Sequence, residues 1–189
     1  MTKVAVLDHG MGNLRSVAKA LEATGADVVV TSKVDEIATR DALCVPGQGI
    51  FGRCIARLER DGFDDLIREW IANERPFLGI CLGLQILFDA SEENADLPGL
   101  GILSGGVTRL PATVPVPHIG WNTVGDEYFY FDHAYAAHPE DESLVEGWCE
   151  HGEAFAALIR SGSILGVQFH PEKSGTAGIG LLKGWVGNP

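Results

Sequence analysis

Cys81 has neighbours in the sequence that could support nucleophilic catalysis. It is the centre of Gly79-Ile80-Cys81-Leu82-Gly83, which follows the strand-like PFLGI (76–80) and opens the apolar run LGLQILF. In a nucleophile elbow, this spacing puts the nucleophile on a strained strand-to-helix turn, here with cysteine where serine is usual. The N-terminus of a following helix would favour thiolate over thiol. The segment predicts a nucleophile, although a buried cysteine in a glycine-rich turn would have the same sequence.

A base for that nucleophile could come from Gln168-Phe169-His170-Pro171-Glu172, at the end of the apolar SILGVQF (163–169). A nucleophilic cysteine needs a base, and the base needs an orienting group. His170 and Glu172 are two residues apart, so in an extended backbone both side chains face the same way. Glu172 could then hold one ring nitrogen of His170 and fix its tautomer. A surface histidine near a strand end is the other interpretation.

A third segment, Pro46-Gly47-Gln48-Gly49, could supply donors to a developing oxyanion. It directly follows the strand-like ALCV (42–45). An acyl-transfer site needs backbone N–H groups aimed at that oxygen. Glycines at alternate positions let a loop turn its amides inward. An ordinary turn remains the alternative for this segment by itself.

The elements that would position these segments alternate in the first half of the sequence. Strands are predicted at 3–8, 27–31, 42–46 and 76–80, and helical spacing marks 14–21 and 63–71. The glycine-rich PGQGIFG (46–52) is expected to close the third of these strands. Near-continuous hydrophobic strands separated by helices favour a parallel sheet covered on both faces. Ligands bind such sheets beyond the carboxyl ends of the strands, where all three segments lie.

The second half has a different pattern, with short segments separated by Pro, Gly and Asp. These segments predict mostly antiparallel strands added to the sheet, another buried strand at 163–169 and a terminal helix at 174–186. The prediction is therefore an α/β fold in one domain, residues 1–189. Its central, mostly parallel sheet is flanked by helices, with additional antiparallel strands in the second half.

Composition excludes several classes of function. The 189 residues are 46% hydrophobic and 21% charged, and the net charge is −12. An acidic surface repels phosphodiester backbones and anionic lipids, so neither nucleic acid nor a membrane is an expected partner. No apolar run is long enough to predict a signal peptide or a membrane span.

The cysteines and histidines do not form a recognisable metal motif. Cys44, Cys54, Cys81 and Cys149 include no CxxC pair, so free thiols in a reducing compartment, the cytoplasm, are expected. There is no HExxH sequence, and GMGN (10–13) lacks the full GxGxxG of a dinucleotide loop. Neither a metal nor a cofactor is expected.

Taken together, GICLGLQ, QFHPEKS and PGQG resemble the class I, triad-type glutamine amidotransferases over nearly the whole chain. The resemblance implies that Cys81 attacks the carboxamide of glutamine, that His170 is the acid and base, and that Glu172 orients His170. It also implies contacts to the substrate or the oxyanion, from Gly47, Gln48, Gly49, Leu82 and Gln85. Gln85 would contact bound glutamine, and the amides of Gln48, Gly49 and Leu82 would form the oxyanion hole.

Three further segments, DHGMGNLRSV, PHIGWNTV and FYFDHAY, are similar to the glutaminase subunits of imidazole glycerol phosphate synthase. This similarity implies a heterodimer with a (β/α)8-barrel cyclase subunit, which would use the ammonia in histidine biosynthesis. It also implies a partner-facing surface that includes Asn13, His118, Trp121, Asn122, Tyr135 and Lys173.

Two residues depart from the pattern of that family. Position 9 is His where Tyr is frequent, and Gln48 replaces a small aliphatic residue. Because the loop at 47–49 would act through its backbone, Gln48 need not abolish activity. A binding subunit that has lost catalysis and a glutaminase that serves another acceptor are the alternatives.

Overall fold

The computed structural model describes residues 1–187, which form twelve strands and six helices. The strands are β1 (Lys3–Leu7), β2 (Asp27–Thr31), β3 (Ala42–Gly47), β4 (Phe77–Cys81), β5 (Phe88–Ser91), β6 (Leu103–Arg109), β7 (His118–Val124), β8 (Glu127–His133), β9 (Tyr135–Pro139), β10 (Val145–Glu150), β11 (Ala154–Ser161) and β12 (Ile164–Val167). The helices are α1 (Leu14–Glu22), α2 (Val34–Ala38), α3 (Phe51–Asp61), α4 (Phe63–Ala72), α5 (Leu82–Gln85) and α6 (Gly175–Gly187).

The main sheet has seven strands in the order β10-β11-β12-β4-β3-β1-β2. The five strands from β12 to β2 are parallel, whereas β10 and β11 are antiparallel additions at one edge. In strand β1, Val4 and Val6 pack in one hydrophobic core, and Ala5 and Leu7 pack in the other. Strands buried on both faces need no polar side, which explains the near-continuous apolar runs in the sequence. The α/β prediction is confirmed.

Two helical segments differ from the sequence predictions. No helix was predicted directly after the glycine-rich PGQGIFG, but α3 begins within that segment at Phe51 and continues to Asp61. The first two backbone N–H groups of α3 donate to side chains from a distant segment. Phe51 donates to Oε2 of Glu93, and Gly52 donates to Oδ1 of Asn94. The apolar run after Cys81 contains only the single turn α5 before β5 begins. Tertiary contacts therefore determine the secondary structure of both segments.

The second half of the chain also differs from its prediction. Only β10, β11 and β12 join the main sheet. Strands β5, β6 and β9 form a separate three-stranded sheet, and β7 and β8 form an antiparallel hairpin. Within residues 1–187, no helix has the length and apolar character needed to cross a bilayer.

Candidate active site

Cys81 lies at the turn from β4 into α5 with φ 54° and ψ −107°. A positive φ is costly for a residue with a side chain, and such strain is concentrated at functional sites. A Cβ atom on Gly83 would collide with the carbonyl oxygen of Val45, and one on Gly79 would collide with that of Gly83. The two glycines are therefore required by close backbone approach, as a nucleophile elbow demands.

The helix that follows Cys81 is too short for the effect expected of it. Helix α5 is a single turn, Leu82–Gln85, so few aligned peptide dipoles point at the sulfur. The prediction that a helix N-terminus favours the thiolate is corrected accordingly. The cationic partner for a thiolate must come from side chains instead.

His170 reaches the same edge of the sheet because β12 runs parallel to β4, with Val167 opposite Ile80. Its Nδ1 atom lies 2.8 Å from Oε1 of Glu172, and both side chains are 2% exposed. Glu172 lies in a 3-10 turn, Pro171–Lys173, and not in the extended backbone assumed from the sequence. The turn still brings the carboxylate onto the ring.

The protonation of His170 reflects three influences. Burial opposes the charged imidazolium, but the neighbouring Cys81 sulfur and Glu172 carboxylate outweigh it and raise the pKa of His170 to about 10. At neutral pH His170 is then an imidazolium that could pair with a Cys81 thiolate. Ion pairs of this kind are found in reactive cysteine sites.

The backbone of His170 is fixed to the β7–β8 hairpin. Its N–H donates to the Tyr130 carbonyl at 2.8 Å. The Ser174 hydroxyl donates to the His170 carbonyl at 2.6 Å and accepts from the Tyr130 N–H at 3.0 Å. A displacement of the hairpin would therefore move the histidine.

The loop predicted to form the oxyanion hole lies beside the nucleophile, since Gly47 is opposite Cys81 in the pairing of β3 with β4. A Cβ on Gly47 would lie 2.8 Å from Cβ of Leu82, and Gly49 has φ +122°. Both glycines are thus required, the first by contact and the second by conformation. This geometry places the loop where its amides could face a substrate oxygen.

His9 anchors the beginning of this loop. Its Nε2 lies 2.7 Å from the Pro46 carbonyl, and Cys54 Sγ lies 4.0 Å from its Nδ1. Burial lowers the pKa of His9, and burial raises the pKa of Cys54 to about 12. A neutral ring therefore donates from Nε2 to Pro46 and accepts from the thiol at Nδ1. His9 thus supplies a hydrogen-bond donor to the loop, which explains how histidine can replace tyrosine at this position.

A cavity of about 330 Å³ opens in front of Cys81. Its volume is at the small end of the range for ligand sites, about 300–1,000 Å³. Its lining includes the predicted residues Gln48, Gly49, Leu82, Gln85 and Tyr135, and also Glu93, Pro117, Asp132, His133 and Ala134. Within residues 1–187, no three His, Cys, Asp or Glu side chains group as metal ligands would.

Gln85 lines this cavity, but its side-chain amide is also engaged within the protein. It donates to the Tyr135 carbonyl at 2.8 Å and to Oε1 of Gln168 at 3.0 Å. The structure thus reveals two residues to which sequence reasoning gave no role, Gln168 and Glu93. Gln168 could have been found from the sequence, because it begins the QFHPE motif that contains His170. No sequence motif marks Glu93.

The residues predicted to face a partner divide into two groups. Trp121 is 57% exposed, Asn13 is exposed, and Asn122, Tyr135 and Lys173 are partly buried. Lys173 lies 3.6 Å from Asp132 on the hairpin. His118 is only 5% exposed and therefore offers a partner little surface of its own. Its ring stacks on that of Phe131, and its Nε2 lies 3.3 Å from Nδ2 of Asn122.

The fold and site together define a cysteine hydrolase of the triad type, with an elbow nucleophile at the carboxyl edge of a parallel sheet. A solved structure titled glutamine amidotransferase aligns with a TM-score of 0.77 at 23% identity, over 97% of this chain and 98% of that chain. The family described as Glutamine amidotransferase class-I matches residues 5–183.

Two curated relatives narrow the assignment. The chain is 44% identical to the imidazole glycerol phosphate synthase subunit HisH of Moorella thermoacetica, over 97% of this chain and 93% of that protein. It is 42% identical to the chloroplastic imidazole glycerol phosphate synthase hisHF of Arabidopsis thaliana, over 95% of this chain but 33% of that longer protein. The chain therefore belongs to the class I glutamine amidotransferase family and, within it, to the HisH subunits.

Proposed function

We propose that this chain is the glutaminase subunit of imidazole glycerol phosphate synthase and supplies ammonia to a cyclase for histidine biosynthesis. The observation that carries the proposal is the strained Cys81 beside the His170–Glu172 pair, at the mouth of a cavity of about 330 Å³. The relatives named above carry the assignment to this synthase.

The first half-reaction forms a thioester. The Cys81 thiolate attacks the side-chain carboxamide carbon of glutamine, and the carbonyl oxygen takes up the negative charge. Amides of the 47–49 loop and of Leu82 would stabilise that oxyanion. The C–N bond then breaks as the His170 imidazolium donates its proton to the departing nitrogen, which leaves as ammonia.

The second half-reaction restores the cysteine. Neutral His170 removes a proton from water, and the resulting hydroxide adds to the thioester carbonyl. The C–S bond breaks, glutamate leaves, and the Cys81 thiolate pairs again with the His170 imidazolium. Glu172 holds Nδ1 throughout, so Nε2 carries the transferred proton.

Glu93 is the residue best placed to bind the α-ammonium group of glutamine. Two carboxylates line the cavity, Glu93 and Asp132, but Asp132 is paired with Lys173 at 3.6 Å. Glu93 accepts a hydrogen bond from the backbone N–H of Phe51 through Oε2, which fixes its direction without neutralising its charge. Gln85, which also lines the cavity, would orient the substrate's polar groups.

The partner in this proposal is a (β/α)8-barrel cyclase subunit bound to the β7–β8 hairpin in a heterodimer. Ile119, Trp121 and Tyr128 are 61%, 57% and 61% exposed on that hairpin, which is unusual for large apolar side chains. The hairpin is also hydrogen bonded to His170 through Tyr130. Docking there would place the partner next to the reaction. A cytoplasmic location for this complex fits the four free cysteines.

A direct test is the size of the complex with the cyclase subunit, measured by light scattering after gel filtration. We expect a one-to-one complex for the unmodified chain and a clearly weaker one for Trp121→Ala. Trp148→Ala is the matched control, since Trp148 is 40% exposed on β10, outside the hairpin. Absence of a complex with an active glutaminase would indicate a different acceptor.

A further inference from the structure

Gln168 contacts the nucleophile directly, although the mechanism above gives it no role. It follows β12, is completely buried, and its Nε2 lies 3.5 Å from Sγ of Cys81. An amide N–H pointing at sulfur stabilises negative charge there. The amide oxygen at the same place would repel that charge. What the contact does therefore depends on which end of the amide faces the sulfur.

The orientation of the Gln168 amide is determined by its neighbours. Its Oε1 accepts from Nε2 of Gln85 at 3.0 Å, and the same Gln85 nitrogen donates to the Tyr135 carbonyl at 2.8 Å. A carbonyl only accepts, so the Gln85 NH₂ group must face Tyr135 and Gln168. Gln168 must then present oxygen to Gln85 and nitrogen to Cys81.

The same logic extends to the surface of the protein. The Tyr135 carbonyl also lies 2.9 Å from Nδ1 of His133, which must donate, so Nε2 of His133 must accept. Nδ1 of His118 lies 3.1 Å from that nitrogen and donates to it. Nε2 of His118 accepts from Nδ2 of Asn122 at 3.3 Å, and this nitrogen also donates to the Glu150 carbonyl at 3.0 Å.

This array of hydrogen bonds, running from Asn122 to Cys81, requires both imidazoles to be neutral. Burial lowers the pKa of His118 to about 4 and that of His133 to about 3, so both are neutral at physiological pH. Each contact in the array then joins a donor to an acceptor, and no alternative set of tautomers satisfies all of the contacts. Buried networks that are fully satisfied are rigid.

We propose that Gln168 is a positioning residue that holds the Cys81 sulfur through its side-chain N–H, and that Gln85, itself oriented by the Tyr135 carbonyl, fixes the direction of this N–H. The inference rests on the proposed function for its relevance to glutamine hydrolysis. The Tyr135 carbonyl also accepts from His133 of the β7–β8 hairpin, so the hairpin and the Gln85–Gln168 contacts meet at this one oxygen. The hairpin is thus hydrogen bonded next to the site in two places, at the Tyr135 carbonyl and through the Tyr130 bonds to His170.

The test is the rate at which iodoacetamide alkylates Cys81 in the full chain, followed by mass spectrometry of the Cys81 peptide. Gln168→Met keeps the length of the side chain but removes the N–H. Loss of a hydrogen bond to a charged group is expected to slow alkylation at neutral pH by roughly tenfold. The pH profile of alkylation should move to higher pH. In the complex, kcat should fall by a similar factor, with KM for glutamine changed less than about twofold.

Val167→Ala is the matched control, because Val167 is equally buried beside Gln168 but makes no hydrogen bond to the sulfur. It should loosen the core and leave the alkylation profile unchanged. A folded Gln168→Met chain that alkylates like the unmodified chain would overturn the proposal.

Gln168→Glu is the alternative variant for this test if Gln168→Met does not fold. It retains an acceptor for Gln85 but turns an oxygen toward the sulfur, so alkylation should be slower than in the unmodified chain. An unchanged rate would again overturn the proposal. Because alkylation needs neither glutamine nor the partner, absence of glutamate release would count against the proposed function only.

Discussion

His170 and Glu172 form a buried pair in which Nδ1 of the imidazole lies 2.8 Å from Oε1 of the carboxylate. The second carboxylate oxygen and Nε2 of the ring are buried and have no hydrogen-bond partner among residues 1–187. The carboxylate thus fixes the tautomer, and Nε2 is the nitrogen available for proton transfer. This division of roles can be tested by changing each residue separately.

His170→Ala should lower kcat more than Glu172→Gln does. The histidine transfers the proton, whereas the glutamate only orients the ring and stabilises its charge. We expect Glu172→Gln to lower kcat by roughly 10²–10⁴ with little change in KM, and His170→Ala to lower it further. Steady-state glutamate release measures both. Equal losses would mean that Glu172 has more than an orienting role.

Loss of the His9 contact should weaken oxyanion stabilisation. His9→Phe removes the donor to the Pro46 carbonyl, which lies just before the loop at 47–49. We expect kcat to fall about tenfold while binding of the cyclase is retained, because one anchored hydrogen bond is lost. His9→Gln, which keeps an N–H donor, is the control and should recover much of the rate. If both variants behave alike, the loop does not depend on this bond.

Glu93→Gln should raise KM for glutamine with a smaller effect on kcat. The glutamine side chain keeps an oxygen for the Phe51 N–H and removes only the negative charge. A charge-assisted hydrogen bond to the α-ammonium group is then replaced by a neutral one, so KM should rise roughly tenfold. Asp132→Asn serves for comparison and should raise KM less. The reverse ranking would assign the ammonium group to Asp132.

Acid should destabilise the protein through His133. Burial lowers the pKa of this residue from 6.5 to about 3. Below pH 6.5, His133 therefore binds a proton in the unfolded chain but stays neutral in the folded chain. The contribution of His133 to stability is complete above pH 6.5 and is lost as the pH falls toward 3. His133→Gln cannot titrate and keeps an N–H donor for Tyr135. It should reduce the slope of unfolding free energy by about 1.4 kcal/mol per pH unit in urea titrations. An unchanged slope would contradict the assignment.

The sequence predicts those parts of the site whose signal is local. The glycines on either side of Cys81 and the two-residue spacing of His170 and Glu172 are short-range features of a strand end. Parallel strands then bring their carboxyl ends to one edge, which the alternating pattern already implied. For the same reason the central strands could be placed within one or two residues.

What the sequence could not reveal depends on contacts between distant segments. Helix α3 begins where Glu93 and Asn94 bond its first amides, more than forty positions away along the chain. His118 is buried because the aromatic rings of Phe131 and Phe155 meet it in the folded state. The direction of the Gln168 amide is set by Gln85 and Tyr135, which belong to separate elements. No local pattern encodes such partners.

The most direct test of the central claim is glutamate release from glutamine by the purified chain, alone and with the cyclase subunit and its nucleotide ligand. The account predicts low release from the chain alone, a large increase in the complex, and no release above background for Cys81→Ala, which should still bind the cyclase. Undiminished release by Cys81→Ala would contradict the assignment of the nucleophile. Release that is high alone and unaffected by the cyclase would contradict the coupling to imidazole glycerol phosphate synthesis.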